Sequence, residues 1–123
     1  MKPYDYLKNS TYFDDWFFSL DAVTQARITI RTERARMTGH LGDHKGVGDE
    51  VSELRLNFGP GYRLYYTAWE YRGRALLLLV GGDKSTQRRN IKLAKAILKE
   101  AKAKAEREID EELKRREEEK RGQ

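Results

Sequence analysis

Two arginines with the chemistry to bind a phosphate group lie on neighbouring predicted strands, Arg55 on the first and Arg63 on the second. Apolar and polar residues alternate over residues 51–58, a glycine-containing turn follows at 59–61, and residues 62–69 form an aromatic-rich second strand. Two guanidinium groups side by side on one face repel each other and favour an anionic partner. The sequence therefore predicts a hairpin whose charged face binds an anion or is neutralised from within the protein.

The register of this hairpin determines which side chains surround the arginines. If the two residues that flank the turn pair with each other, Arg55 lies opposite Tyr65 and diagonally from Arg63. Glu53 lies on the same face and is the internal alternative to a bound anion. The opposite face is apolar and is predicted to face the core through Leu54, Leu56, Phe58, Leu64 and Tyr66.

A third basic group, Lys84, lies in a glycine-containing segment, residues 81–87, that follows a predicted strand buried on both faces. A helical pattern comes next, so the segment is predicted to be a strand-to-helix loop whose helix N-terminus attracts phosphate. Ser85 or Thr86 is the predicted helix cap. The GxxxxGK[ST] spacing of nucleotide-hydrolysing loops is absent. The same pattern also fits a capped turn that binds nothing.

The formal net charge of +5 comes from one part of the chain. Residues 1–83 are balanced, with 11 basic and 11 acidic residues, and residues 106–123 have a net charge of −2. Residues 84–105 carry +7, which is typical of a nucleic-acid-binding face, although a solvated helix face gives the same pattern. The basic residues of this segment are Lys84, Arg88, Arg89, Lys92, Lys95, Lys99, Lys102 and Lys104.

Metal and nucleophile chemistry find little support in the sequence. His40 and His44 lie in a glycine-rich segment, residues 40–48, that is predicted to be a loop, and Asp43 is its only acid, so we expect neither a metal nor a cofactor. The chain has no cysteine, which fits a reducing compartment. It shows neither the roughly 20-residue apolar run of a membrane span nor a signal-peptide pattern, so we expect a cytoplasmic protein.

The elements before the hairpin are predicted to be a short strand over residues 2–7 and a helical hairpin over residues 12–38. In the second of these helices, residues at helical spacing predict a buried stripe of Ala22, Ala26, Ile30 and Met37. We expect the helical hairpin to pack on a twisted, mainly antiparallel sheet, which gives an α+β fold.

A long C-terminal helix is predicted from about residue 86. Its apolar stripe is expected to pack on the sheet and consists of Ile91, Ala94, Ile97, Leu98, Ala101 and Ala105. Residues 1–105 form the predicted single domain. Residues 106–123 form a charged helical extension in which acidic residues precede basic ones at four-residue spacing.

Four segments of the chain, taken together and in order, carry a resemblance to a known family. They are residues 42–48 (GDHKGVG), 51–55 (VSELR), 59–66 (GPGYRLYY) and 77–87 (LLLVGGDKSTQ). Over roughly residues 4–100 the chain closely resembles the HigB-like addiction-module killer proteins of the RelE/ParE toxin superfamily. The resemblance implies a RelE/ParE-like fold and a type II toxin that cleaves messenger RNA on the translating ribosome. It also implies a cognate antitoxin, expected to be a HigA-like helix-turn-helix protein.

The resemblance also suggests roles for individual residues. Arg63 matches a catalytic arginine of these toxins, Lys84 matches a second basic catalytic residue after the last strand, and Arg55 lies near a basic pair on the preceding strand. Lys45 matches a basic residue expected to contact ribosomal or messenger RNA. The further RNA-binding candidates are His44, Arg88, Arg89 and Lys92. RelE has a tyrosine on its last helix and a lysine in the place of Glu53, and both are missing here, so the general base stays open.

Metal-free RNA cleavage requires a base for the ribose 2'-hydroxyl, stabilisation of the extra phosphate charge and an acid for the leaving 5'-oxygen. The arginines suit the second task. Lys84 and His44 are candidates for proton transfer, and Glu53 with Asp83 is an alternative acid–base pair. Two other functions stay open: a ParE-like gyrase inhibitor and a non-enzymatic RNA- or antitoxin-binding module. The residues also leave open whether the chain dimerises.

Overall fold

The described part of the chain, residues 2–122 of a computed structural model, contains five strands and three α-helices. In chain order these are β1 (Tyr6–Asn9), α1 (Thr11–Phe18), α2 (Ala22–Thr38), β2 (His44–Gly48), β3 (Val51–Arg55), β4 (Arg63–Glu70), β5 (Arg74–Gly82) and, after a 3-10 turn over Lys84–Thr86, α3 (Gln87–Arg121). The predicted α+β class and the long C-terminal helix are confirmed. The terminal residues of the predicted domain and of its extension, Met1 and Gln123, lie outside the described residues.

The five strands form one mixed sheet in the order β1-β5-β4-β3-β2. β1 runs parallel to β5, whereas the other neighbouring strands are antiparallel. β5 lies inside the sheet, and its residues from Ala75 to Gly82 are all buried, as its continuous apolar run predicts. The predicted strand over residues 2–7 is wrong at its start, because β1 begins at Tyr6, beyond Pro3, which has no backbone N–H to donate.

One face of the sheet packs against α1 and α2. The side chain of Ser10 caps α1 by accepting from the N–H of Phe13 (3.1 Å), and Asp21 caps α2 by accepting from the N–H of Thr24 (3.1 Å). The predicted core-facing side of the hairpin is confirmed. The core on this face includes Phe13, Ile28, Ala35, Leu54, Leu56, Leu64, Tyr66, Leu76 and Leu78.

The predicted buried stripe of α2 is wrong. The helix buries Ile28, Thr32 and Ala35. The residues of the predicted stripe are exposed instead, namely Ala22, Ala26, Ile30 and Met37. Thr32 explains the error, because its hydroxyl donates to the carbonyl of Ile28 (3.0 Å) and so lies in the core without an unpaired polar group. A pattern that counts threonine as polar therefore assigns the wrong rotation to the helix.

α3 covers the other face of the sheet, as its apolar stripe predicts. Ala94, Ile97 and Leu98 are buried there. The sheet residues of the same core cluster are Val51, Tyr65, Leu77, Leu79 and Val80. The helix continues as far as Arg121. Within residues 2–122 no helix is both long and apolar enough to cross a membrane.

β2 lies inside the segment that the sequence predicts to be a loop, so that prediction is wrong for residues 44–48. The strand forms one edge of the sheet and pairs antiparallel with β3. Its two glycines remove the side-chain alternation by which a strand is identified. Asp49 and Glu50, both with left-handed backbone (φ 52° and 65°), form the turn into β3, a conformation usually taken by Asn or Gly.

The register of the β3–β4 hairpin differs from the predicted one. Arg55 pairs directly with Arg63 and not with Tyr65, because the loop is longer than three residues and closes through a hydrogen bond from the N–H of Leu56 to the carbonyl of Tyr62 (2.9 Å). The shift amounts to two residues, and an even shift leaves every side chain on the same face. The face assignments are therefore confirmed, whereas the predicted cross-strand partners are wrong.

Candidate phosphate-binding site

Three neighbouring strands place Arg55, Arg63 and Gly82 in one row across the sheet. Arg55 of β3 pairs with Arg63 of β4, and Arg63 pairs with Gly82 of β5. Directly opposite residues share a face, and their Cβ atoms lie roughly 5 Å apart. The two arginines are therefore direct rather than diagonal neighbours, with their side chains on the face that α3 covers.

Glu53 is the internal counter-charge of this pair. Its side chain is fully buried, with Oε1 2.9 Å from Nε of Arg63 and Oε2 3.9 Å from Nε of Arg55. The contact to Arg63 has the distance of an ion pair without the angle of a hydrogen bond, since Nε of Arg63 makes none within residues 2–122. Electrostatic attraction therefore dominates this contact. The sequence allows either Glu53 or a bound anion as the partner of the arginines, and the structure has Glu53 in contact with them.

Two neutral side chains complete the surroundings of Glu53. Nε2 of Gln87, the first residue of α3, donates to Oε1 over 3.0 Å, and the Tyr65 hydroxyl donates to the same oxygen over 3.4 Å. Burial raises the pKa of Tyr65 above its ordinary value of 10.0, and the negative charge of Glu53 raises it further. The raised pKa favours the protonated phenol at neutral pH, which disfavours Tyr65 as a general base.

The outer side of the arginine pair faces solvent. The side chain of Arg63 is 13% exposed and that of Arg55 is 36% exposed. Asp43 lies 3.8 Å from Arg55 and is itself half exposed, so this ion pair contributes only about 0–1 kcal/mol. Solvent therefore reaches the pair mainly at Arg55, on the side where Asp43 lies, whereas Glu53 is on the inner side.

The segment of residues 81–87 places Lys84 at the same end of the sheet. Lys84 follows Gly82, the strand partner of Arg63, by two residues. Its Cβ lies 3.5 Å from where a Cβ at Gly61, in the β3–β4 loop, would be. The Lys84 side chain is exposed and lines an open depression together with Pro60. Lys84 therefore lies next to the β3–β4 loop, at the end of the sheet where Arg55 and Arg63 are paired.

The two glycines of this segment are required by packing on opposite faces. A Cβ at Gly81 would lie 2.1 Å from the Trp16 ring of α1, and a Cβ at Gly82 would lie 1.9 Å from Nδ2 of Asn90 on α3. Neither distance is compatible with a side chain. Close packing between helix and sheet therefore accounts for both glycines without a bound ligand.

Asp83 caps the 3-10 turn, and Thr86, one of the two predicted caps, occupies the N-cap position of α3 without a side-chain hydrogen bond to the helix backbone. The Asp83 carboxylate accepts from the N–H of Ser85 (2.8 Å), and Oγ1 of Thr86 accepts from the N–H of Asp83 (3.2 Å). The hydrogen bonds from Ser85 lower the pKa of Asp83 below 3.8. Asp83 is therefore an ionised cap at neutral pH, which disfavours it as a partner of Glu53 in acid–base catalysis.

Most of the predicted RNA-binding residues lie on the side of the sheet that carries the arginines. Lys45 of β2 is exposed and stands directly opposite Glu53. The others are exposed in the first turns of α3, which covers the same face: Arg88, Arg89 and Lys92. These residues extend the basic surface beyond the arginine pair.

His44 is the exception among these candidates. It pairs with Leu54, whose side chain belongs to the core under α1 and α2, so His44 lies on the opposite face from the arginines. There its Nδ1 contacts the carbonyl of Gly42 (2.8 Å). The structure therefore does not bring His44 to the site.

The middle of the basic helix is neutralised by the β2–β3 turn. Lys95 lies 3.6 Å from Asp49, and Lys102 pairs with Glu50. Within residues 2–122 no ion pair involves the four basic residues nearest the site, Lys84, Arg88, Arg89 and Lys92. Lys99 and Lys104, farther along the helix, make no ion pair in this range either, so unpaired positive charge extends along α3. The described chain, residues 2–122, contains no cluster of three His, Asp or Glu side chains that could hold a metal ion.

Sequence reasoning missed two contributors to the site, Gln87 and Asp43. Gln87 ends the 81–87 segment and opens α3, and the first turn of a helix that packs on a sheet is a signal that its side chains reach the sheet. Asp43 carried no usable signal, because the strand that follows it was predicted to be loop. Its backbone carbonyl accepts from the N–H of Arg55 (2.9 Å), which brings its carboxylate to the arginine.

The fold and the site define a small α+β protein with a pair of arginines and a lysine at one end of three neighbouring strands. Over 95 residues the chain is 40% identical to an uncharacterized protein of Haemophilus influenzae, and the match covers 76% of this chain and 93% of that protein. The chain therefore belongs to the same protein family as the Haemophilus protein. No family model and no solved structure match the chain.

Proposed function

We propose that the protein is the toxin of a type II toxin-antitoxin system, a metal-independent endoribonuclease that cleaves messenger RNA on the ribosome. The observation that supports this function best is the direct pairing of Arg55 with Arg63, open to solvent on its outer side, with Lys84 at the same end of the sheet. The proposal includes a RelE/ParE-like fold with α1 and α2 as a helical hairpin, a cytoplasmic location and a HigA-like antitoxin.

In this reaction the ribose 2'-oxygen attacks the adjacent phosphorus, a new O–P bond forms and the bond from phosphorus to the 5'-oxygen breaks. The 2'-hydroxyl loses one proton, the 5'-oxygen gains one, and the products are a 2',3'-cyclic phosphate and a 5'-hydroxyl. Negative charge grows on the phosphate oxygens in the transition state. Arg63 and Arg55 stabilise that charge, since a guanidinium group stays ionised at any working pH and binds two oxygens at once.

Few side chains near the arginines are able to transfer a proton. Tyr65 is buried and neutral, Asp83 is used as a cap, and His44 lies on the opposite face. Lys84 is exposed beside the site, so we assign it the proton that goes to the 5'-oxygen. We assign the base for the 2'-hydroxyl to the ribosomal complex, which would also orient the RNA and make cleavage depend on translation.

The test is induction of the wild-type chain and of Arg63→Lys in bacteria, followed by primer extension on a translated message. Lysine keeps a positive charge next to Glu53 but lacks the two-pronged guanidinium group. Arg72→Ala is the matched control, because the side chain of Arg72 is 71% exposed and pairs with Glu112 on α3, away from the site. We expect cuts within the reading frame for the wild type and the control, a loss of roughly 100-fold or more for Arg63→Lys, and no cuts when translation is blocked.

Two other outcomes would contradict the ribonuclease function. Arrested growth with intact messages would favour the ParE-like inhibition of gyrase. Normal growth with intact messages would favour a non-enzymatic RNA- or antitoxin-binding module. One structural observation supports the module: Glu53 already lies against both arginines, so the pair does not need a ligand for its charge.

A further inference from the structure

Glu53 is the one buried charged side chain among residues 2–122, and the proposed reaction gives it no role. Its carboxylate is fully enclosed between the sheet and the start of α3, so it does not reach RNA. A buried carboxylate loses its hydration and is tolerated only with partners of good geometry. Replacing a buried ion pair by apolar residues is often neutral or stabilising, so stability alone is a weak reason for this arrangement.

The contacts of Glu53 connect three elements. The residue belongs to β3, its Oε1 lies 2.9 Å from Nε of Arg63 on β4, and the same oxygen accepts from Nε2 of Gln87 on α3 (3.0 Å). Gln87 directly follows the turn over Lys84–Thr86. One carboxylate oxygen is therefore in contact with the proposed phosphate-binding arginine and with the helix whose preceding turn carries the proposed acid.

The atom that Glu53 contacts on Arg63 also matters. Nε is the guanidinium nitrogen nearest the main chain, so the two terminal nitrogens of Arg63 lie farther out along the side chain. A contact at Nε restrains the rotation of the side chain and leaves the terminal pair for an incoming phosphate. Without the carboxylate, Arg55 and Arg63 would repel each other across the strand pair and move apart.

We propose that Glu53 is the positioning residue of this site: its buried carboxylate holds the Arg63 guanidinium and the start of α3 in place. The expected effect of Glu53 on cleavage rests on the proposed function. The contacts of Glu53 with Arg63 and Gln87 do not depend on that function. Glu53 acts through Arg63 and Gln87 and has no contact with the substrate.

The test compares Glu53→Gln, Glu53→Asp and the control Glu50→Gln in single-turnover cleavage on programmed ribosomes and in binding to a model RNA. Glutamine keeps the shape but removes the charge, and aspartate keeps the charge but shortens the reach. Glu50 belongs to the same β2–β3 hairpin, where its exposed side chain pairs with Lys102. The melting temperature of each variant shows whether it is folded.

For both Glu53 variants we expect the cleavage rate to fall about 100-fold, the size of effect that a displacement of about 1 Å has on a catalytic group. RNA binding should be unchanged in Glu53→Asp and unchanged or tighter in Glu53→Gln, because the latter gains net positive charge. Glu50→Gln should cleave like the wild type. Wild-type cleavage by Glu53→Asp would overturn positioning in favour of a charge effect, and a parallel loss of binding and cleavage would reduce Glu53 to a structural role.

If a Glu53 variant does not fold, Gln87→Ala replaces it, since this variant leaves the contact between Glu53 and Arg63 intact. We expect a lower kcat with an unchanged KM, and wild-type kcat would overturn the inference. NMR relaxation of the Arg63 Nε–H gives a reading that does not depend on cleavage. If the wild type does not cleave but its Arg63 Nε–H is rigid and becomes mobile in Glu53→Gln, the proposed function fails and the positioning role stands. If the mobility is the same in both proteins, the positioning role fails.

Discussion

The two faces of the sheet bury different chemistry. The face under α1 and α2 is apolar, and the buried polar side chain there, Thr32, bonds back to its own helix. The face under α3 contains the other three buried polar or charged residues of the described chain: Glu53, Thr67 and Asn90. The α1–α2 face therefore mainly holds the fold together, whereas the α3 face combines a core with the candidate site.

This difference determines how each face responds to substitution. Removing a buried apolar side chain leaves a cavity, and the free energy of unfolding falls because contacts around the cavity are lost. Removing one member of a buried ion pair leaves the other charge uncompensated, which lowers the stability of the fold. This loss of stability disappears when the second charge is removed as well. The two faces are therefore distinguished by whether a second substitution restores stability.

The largest effect is expected for Arg63→Ala on the α3 face. The substitution leaves Glu53 fully buried without its nearest positive partner, so we expect a loss of about 3–5 kcal/mol in the free energy of unfolding. Adding Glu53→Gln should recover a large part of that loss. Chemical denaturation of the two single variants and the double variant measures the coupling. Strictly additive losses would mean that the two side chains do not interact.

A loss that no second substitution recovers is expected for Leu64→Ala on the α1–α2 face. Leu64 is fully buried, and its removal should cost about 2–5 kcal/mol. Leu113→Ala is the matched control, because Leu113 is 54% exposed and its removal should change stability by about 0.5 kcal/mol or less. Equal melting temperatures for the two variants would show that the α1–α2 face carries less of the core than its burial indicates.

Much of the fold follows from local pattern. Strand alternation assigns Leu54 and Leu64 to one face and Arg55 and Arg63 to the other, and it does so even though the predicted register is wrong by two residues. The apolar stripe of α3 correctly includes Ala94, Ile97 and Leu98, and it misses the buried Asn90, whose amide donates to Oγ1 of Thr86 (2.7 Å). The stripe of α2 failed at Thr32, whose polarity is hidden by a hydrogen bond within the helix.

The candidate site could be predicted only in part, because its geometry depends on tertiary contacts. The sequence indicates that Glu53 shares a face with the arginines, but its burial results from α3 covering that face. β2 escaped prediction because its pairing is made by the backbone of a glycine-rich edge strand. The exclusion of His44 and the proximity of Asp43 to Arg55 both follow from that strand.

The smallest effect is expected where the two faces meet, at the 81–87 segment. There Gly81 packs against α1, Gly82 packs against α3, and Asp83 caps the turn that follows. Asp83→Asn keeps a capping side chain but removes its charge, so we expect a loss of less than about 1 kcal/mol at neutral pH, reduced by solvent screening. Asp110→Asn, which removes an exposed carboxylate from the far half of α3, is the control.

The pH dependence of this loss identifies its cause. Hydrogen bonds from Ser85 lower the pKa of Asp83 in the folded protein below the ordinary value of 3.8, so ionised Asp83 favours the folded state above that value. Its contribution is lost as the pH falls through the lowered folded-state pKa. The melting temperatures of the wild type and Asp83→Asn should therefore differ at pH 7 and converge below pH 3.8. A difference that persists at low pH would mean that the shape of the capping group, and not its charge, stabilises the junction between the two faces.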